Sequence, residues 1–138
     1  EGEEEEAEVT EEMRMFRERQ LQAYQAHITN VSRLVEAGVK VGYASNGMKL
    51  SDLKKHIQTL KDEGGLSEDQ IVALFTQHTA DILGMGSKTG DLKKGNIASF
   101  TAFTSPFTEE EAQALHSVSG GKLTEFETEA SNKEDKSE

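Results

Sequence analysis

Between Thr10 and Ala37 the apolar side chains Met13, Phe16, Leu21, Tyr24, Ile28, Val31, Leu34 and Val35 recur at helical intervals with one longer step, and charged or amide residues fill the gaps. That period predicts a helix. Thr10 stands where an N-cap belongs, Glu11 and Glu12 sit at the positive end of the helix dipole, and Gly38 follows the last apolar pair as a stop. The pattern then shortens. Val39 to Ser45, VKVGYAS, has the length and residue types of a buried β-strand, and Asn46-Gly47 is turn punctuation. Helical spacing returns from Ser51, with Leu53, His56, Ile57 and Leu60 on one face and Gly64-Gly65 as terminator. Ser67 and Gln70 have capping-box spacing and open a helix that carries Ile71, Leu74, Phe75, His78, Ile82 and Leu83 before Gly84 closes it.

Beyond Gly84 the period changes again. A glycine-rich stretch leads into Ile97, Ser99, Thr101 and Phe103 alternating with Ala98, Phe100 and Ala102, which suits a short strand with little polar surface. HSVSGGKLTEFE splits at Gly120-Gly121 into two short alternating runs, a β-hairpin signal. The fold class expected is therefore α/β: helix, strand 39–45, helix, helix, then short strands near 97–103, 115–119 and 122–127 in a mixed or antiparallel sheet. Acidic tails at 1–9 and 128–138 hold too few apolar residues to offset the entropy of ordering and are expected to be disordered. Between them lie a helical segment, 10–88, and a short β segment, 89–127.

Charge and composition narrow the partners. The chain has 138 residues and a net charge of −11, without a basic stripe that could displace counterions from a phosphate backbone, so nucleic acid is excluded as a partner. The same imbalance speaks against an anionic membrane surface. No apolar run reaches the length of a membrane span and no targeting segment is recognised, so a soluble chain is expected, of undetermined compartment. An opening on EGEEEE without Met reads as a processed or truncated piece. The absence of cysteine removes disulfides, thiolate metal ligands and a Cys nucleophile together.

Candidate chemistry is sparse. His27, His56, His78 and His116 fall on separate elements, with neither His-x-His nor His-Glu-x-x-His spacing, so neither a metal site nor a bound cofactor is expected from this chain alone. Ser45 lacks the Gly-x-Ser-x-Gly elbow of a nucleophile. Glycines 84, 86, 90 and 95 lack the Gly-Lys-Ser/Thr of a phosphate loop, and a strand rather than a helix follows them.

The order EAGVKVGYASNG, LKDEGGLSEDQIVALFTQHTADILGM, KTGDLKKGNIASFTAFTSPF and HSVSGGKLTEFE resembles the C-terminal end of the amidohydrolase superfamily, in particular its imidazolonepropionase-like branch. The resemblance spans residues 30–127 and is most specific from Ala80–Gly84 through Gly90, Leu92, Lys94-Gly95 and Ala98. It implies that Val39–Ser45 is the last strand of an eight-stranded β/α barrel, and that the chain after Gly90 leaves the barrel for a small β-sandwich ending in the hairpin. Such barrels build their sites at the C-terminal ends of the strands. There the family places an acid that binds a divalent metal, zinc, and shuttles a proton for a metal-bound water. The matching position in this chain is Asn46, an amide with neither the charge nor the basicity for that work.

The resemblance implies an amidohydrolase-like segment acting on non-peptide carbon–nitrogen bonds, here as a catalytically degenerate copy with a structural role. The family's remaining metal ligands would lie upstream of residue 1, which leaves open an active metal-dependent parent; an acidic interaction domain unrelated to the family is a further alternative. A barrel end without its other strands leaves edges and helix faces uncovered. The partners expected are the remainder of a parent chain, another protein chain, or a second copy.

Overall fold

The computed structural model describes residues 10–128, so the expected tails lie outside the described residues, save for Thr128, which is buried. Five helices precede a three-stranded sheet: α1 (Glu11–Ile28), α2 (Asn30–Glu36), α3 (Leu50–Asp62), α4 (Glu68–Phe75) and α5 (Gln77–Ile82), then β1 (Phe100–Phe103), β2 (Ala114–Ser119) and β3 (Lys122–Glu125). The starts follow the capping chemistry. Thr10 accepts a hydrogen bond from Met13 N–H, and Ser67 and Gln70 exchange both bonds of a capping box.

Two helices expected to run unbroken are divided at threonines. At Thr29 and at Thr76 the hydroxyl bonds back to a carbonyl one turn earlier, Gln25 at 2.7 Å and Val72 at 2.8 Å. Such back-bonding competes with the helical ladder and bends it. At Thr76 the backbone leaves helical space entirely, with φ −121° and ψ −90°.

Val39–Ser45, expected as a strand, carries no ladder: its backbone hydrogen bonds go instead to helix carbonyls, Val39 N–H to Leu34 O at 2.9 Å and Tyr43 N–H to Leu74 O at 3.0 Å. A strand is a paired structure, and the pattern of one chain segment does not supply its pair. The sheet that does form is antiparallel in the order β1-β2-β3, with Phe100 opposite Val118 and His116 opposite Glu125. Gly120 and Gly121 both adopt positive φ, +57° and +77°, the conformation that a two-residue hairpin loop demands.

The core lies among the helices. Ile57, Leu66, Ile71 and Leu74 are buried together, with Val31, Val35, Val41, Tyr43, Leu53, Leu60, Phe75 and Phe107 packed around them. By contrast α1 buries none of its residues, and Met13, Phe16, Leu21 and Tyr24 on it stay exposed.

The connection from β1 to β2 is fastened across α3. Lys54 Nζ donates to Glu110 O at 2.6 Å, Gln58 Nε2 to Thr108 O at 2.6 Å, and Thr108 Oγ1 to Glu68 Oε1 at 3.0 Å. Lys61 Nζ, 2.7 Å from the same Glu68 oxygen, holds that carboxyl below its ordinary value of 4.5, with the Thr108 hydroxyl as the next contributor. A folded-state value below the unfolded one gives stability that is present above pH 4.5 and lost as pH falls through the folded value. Acid titration of stability should therefore be shallower for Glu68→Gln than for the unaltered chain; equal slopes would contradict this assignment.

Candidate functional site

The sequence directs attention to the end of the extended segment. Val41 and Tyr43 face the apolar cluster, and Tyr43 stacks on Phe75 with ring centroids 4.5 Å apart. On the other face, Gly42 lies against Thr79 and Ile82: a Cβ built there would come 2.9 Å from Thr79 Oγ1. Lys40 Nζ reaches Asp81 Oδ2 at 2.5 Å. The break at Thr76 frees the Leu74 carbonyl, which receives Tyr43 N–H at 3.0 Å and Thr79 Oγ1 at 2.6 Å. A helix end thus supplies one of the bonds that a neighbouring strand would have given.

Ser45 to Met48 then close a turn. Met48 N–H donates to Ser45 O at 2.8 Å, while Asn46 and Gly47 both take positive φ, +45° and +78°. These are the features of a type I′ turn, for which Asn-Gly is the favoured pair. Asn46 is the only non-glycine residue at positive φ among the described residues, and it is exposed. Its identity is thus accounted for by backbone geometry: asparagine and aspartate enter the left-handed region at little cost, whereas other side chains lose about 1–2 kcal/mol there. Asn46→Ala should destabilise the fold by about that amount and Asn46→Asp by much less, measured by urea unfolding.

Close by, the Tyr43 hydroxyl lies 3.4 Å from His56 Nδ1 and 3.7 Å from Met48 Sδ, tying the turn to α3. Burial pushes the Tyr43 hydroxyl above its ordinary value, so it stays protonated at neutral pH. Spacing along the chain gave no hint of this contact, because Tyr43 and His56 belong to elements of different period. The other histidines do not join it. His27 ends α1, His116 sits on β2 opposite Glu125, and the buried Nδ1 of His78 on α5 has no hydrogen-bond partner among the described residues.

The zinc implied by the resemblance does not fit these residues. Among the described residues no three His, Asp or Glu side chains are grouped to hold a metal ion. Asn46 offers the turn an amide, a weak donor for a divalent cation. As for membranes, no described helix is long and apolar enough to cross one.

Comparison with known proteins bears on the fold and the family. The crystal structure of an amidohydrolase from Thermotoga maritima MSB8 superposes with a TM-score of 0.60 at 14% identity, over 70% of this chain and 25% of that one. At that identity the likeness speaks for the fold, and the chain spans about a quarter of the length of that protein. No curated protein matches the sequence. The model of the amidohydrolase family matches residues 8–132, nearly the whole chain, which sets aside the alternative of an unrelated acidic domain. The chain belongs to the amidohydrolase family.

Proposed function

We propose that this chain is the C-terminal portion of an amidohydrolase barrel of the imidazolonepropionase-like branch, a family portion that acts on non-peptide carbon–nitrogen bonds, and that this copy has given up the reaction and kept a structural role. The observation that carries the reading is Asn46. It ends the extended segment where the resemblance places the acid, and it has no basicity with which to take a proton from a water at neutral pH. Its left-handed turn geometry gives the amide a reason to be there that does not involve catalysis.

A second reading is favoured by one fact: the chain spans a quarter of the length of its structural relative. Residues outside it would then supply the metal ligands of an active enzyme, with this chain closing the barrel and covering the core. In both readings the rest of a larger protein is the natural partner. The test is zinc binding and amide hydrolysis by the 138-residue chain, with Asn46→Asp as the comparison. The degenerate reading expects neither from either chain. Zinc uptake with turnover by the unaltered chain would overturn it.

A further inference from the structure

The turn at residues 45–48 takes its shape from those residues alone, through Met48 N–H on Ser45 O and the positive φ of Asn46 and Gly47. Asn46 and Gly47 are both exposed, and neither the Asn46 side-chain amide nor the Gly47 N–H has a hydrogen-bond partner among the described residues. A Cβ built on Gly47 would meet nothing within 4 Å, so the space beside its nitrogen is open. Asparagine is among the thermolabile residues, and a nucleophile in the same chain as its target replaces an encounter with a rotation. Asn30 and Asn96, the other asparagines among the described residues, lack these conditions. Asn30 is the first residue of α2 and precedes Val31, whose β-branched side chain crowds the nitrogen that would attack. Asn96 precedes the β-branched Ile97; its Nδ2 donates to Asp91 Oδ1 at 2.5 Å, and Ile97 N–H is held by Lys88 O at 2.7 Å.

We propose that Asn46 is a site of spontaneous deamidation, with water as the co-reactant. Gly47 N gives up its proton to solvent base and attacks Cγ of Asn46. The N–Cγ bond forms, the Cγ–Nδ2 bond breaks, and Nδ2 takes a proton from solvent and leaves as ammonia, so the product is a cyclic succinimide. Water then adds to one of its carbonyl carbons: opening at Cγ leaves aspartate, and opening at the backbone carbonyl carbon leaves isoaspartate, with the main chain running through Cγ. A single backbone hydrogen bond, Met48 N–H to Ser45 O at 2.8 Å, closes the turn, so the rotation that brings Gly47 N to Cγ has little to break. Aspartate enters the left-handed region as asparagine does and keeps the turn, whereas isoaspartate lengthens the main chain and disrupts it. The aspartate product bears a carboxylate where the resemblance places the acid of the family, a consequence that rests on the barrel reading; the deamidation itself does not. In that reading the turn lies at the C-terminal end of a strand, the face at which such barrels admit their substrates, and so stays within reach of water.

Peptide mapping by mass spectrometry tests this on the folded 138-residue chain, held at neutral and at mildly alkaline pH in water enriched in heavy oxygen. The peptide that carries Asn46 is expected to turn with time into separable aspartate and isoaspartate forms that contain oxygen drawn from the water. The peptides with Asn30 and Asn96 should keep their amides. The rate should rise with pH, because the attacking nitrogen must lose its proton. Gly47→Ala puts a methyl group beside that nitrogen and should slow the conversion. Whether or not that variant keeps the turn, the comparison of the three asparagines in the unaltered chain decides the matter. An Asn46 that stays an amide throughout, conversion without heavy oxygen, or equal conversion of Asn96 overturns the proposal. Because no readout involves metal or turnover, failure here leaves the barrel reading standing, and failure of that reading leaves the deamidation standing.

Discussion

Ile71→Ala is expected to lower the stability of the fold by about 3–5 kcal/mol, the upper part of the range for truncating a large core side chain to alanine. Ile71 is completely buried at the centre of the cluster with Ile57, Leu66 and Leu74. Truncation removes its transfer free energy and leaves a cavity, which the capping box at Ser67 and Gln70 keeps α4 from closing by a shift of its start. The core is small, so little else compensates: only six apolar residues are buried among those described. Total stability of natural domains is about 5–15 kcal/mol, so the loss should bring the variant close to unfolding at room temperature. Urea unfolding followed by circular dichroism reads the effect as a fall in midpoint. Val72→Ala on the exposed side of α4 serves as the control, with an expected change below about 1 kcal/mol. Equal losses for the two variants would mean that the cluster does not hold the fold together.

Gly90→Ala is expected to cost about 2–4 kcal/mol, from two separate causes that add. Gly90 has φ of +102°, outside the space that L side chains favour. An added Cβ would also sit 2.7 Å from Ala80 Cβ and 3.1 Å from Gln77 Cα, atoms fixed by α5 that cannot swing aside. Gly95 separates the causes. It has a similar φ of +100° with nothing within 4 Å of the added atom, so Gly95→Ala should show the conformational part alone. If the two substitutions proved equally costly, the close approach of the glycine loop to α5 would be wrong.

Much of the local structure was legible because it rests on short-range chemistry. The cap at Thr10, the capping box at Ser67 and Gln70, the stops at Gly38 and Gly84, and the hairpin at Gly120-Gly121 each depend on residues a few positions apart, and each is present in the structure. The resemblance placed the chain in its family through glycines and small residues, and Gly90 shows why such positions are informative: a backbone approach leaves room for nothing else. Less legible was whatever depends on what lies across space. Periodicity gave α1 an apolar face, but that face has no cover among the described residues, since periodicity reports which side of a helix is apolar and not what lies against it. The same limit applies to Val39–Ser45, whose residue types suit a strand and whose ladder is missing. Its substitute, the Leu74 carbonyl freed by the break at Thr76, depends on a threonine hydroxyl that the helical pattern does not weigh. Nor did spacing reveal the fastening of the β1–β2 connection on α3 by Lys54 and Gln58 and on the start of α4 by Glu68, long side chains that a pattern reads only as solvated surface.

Asn46 joins these threads, since the turn chemistry and the acid position that we propose has been given up meet at one exposed residue. The most direct test of the account is elemental analysis of the purified 138-residue chain after incubation with zinc and removal of the excess. The account predicts zinc well below one ion per chain, unchanged by Asn46→Ala. One zinc bound per chain, and lost on substitution of Asn46, would contradict it and return this turn to the metal chemistry of its family.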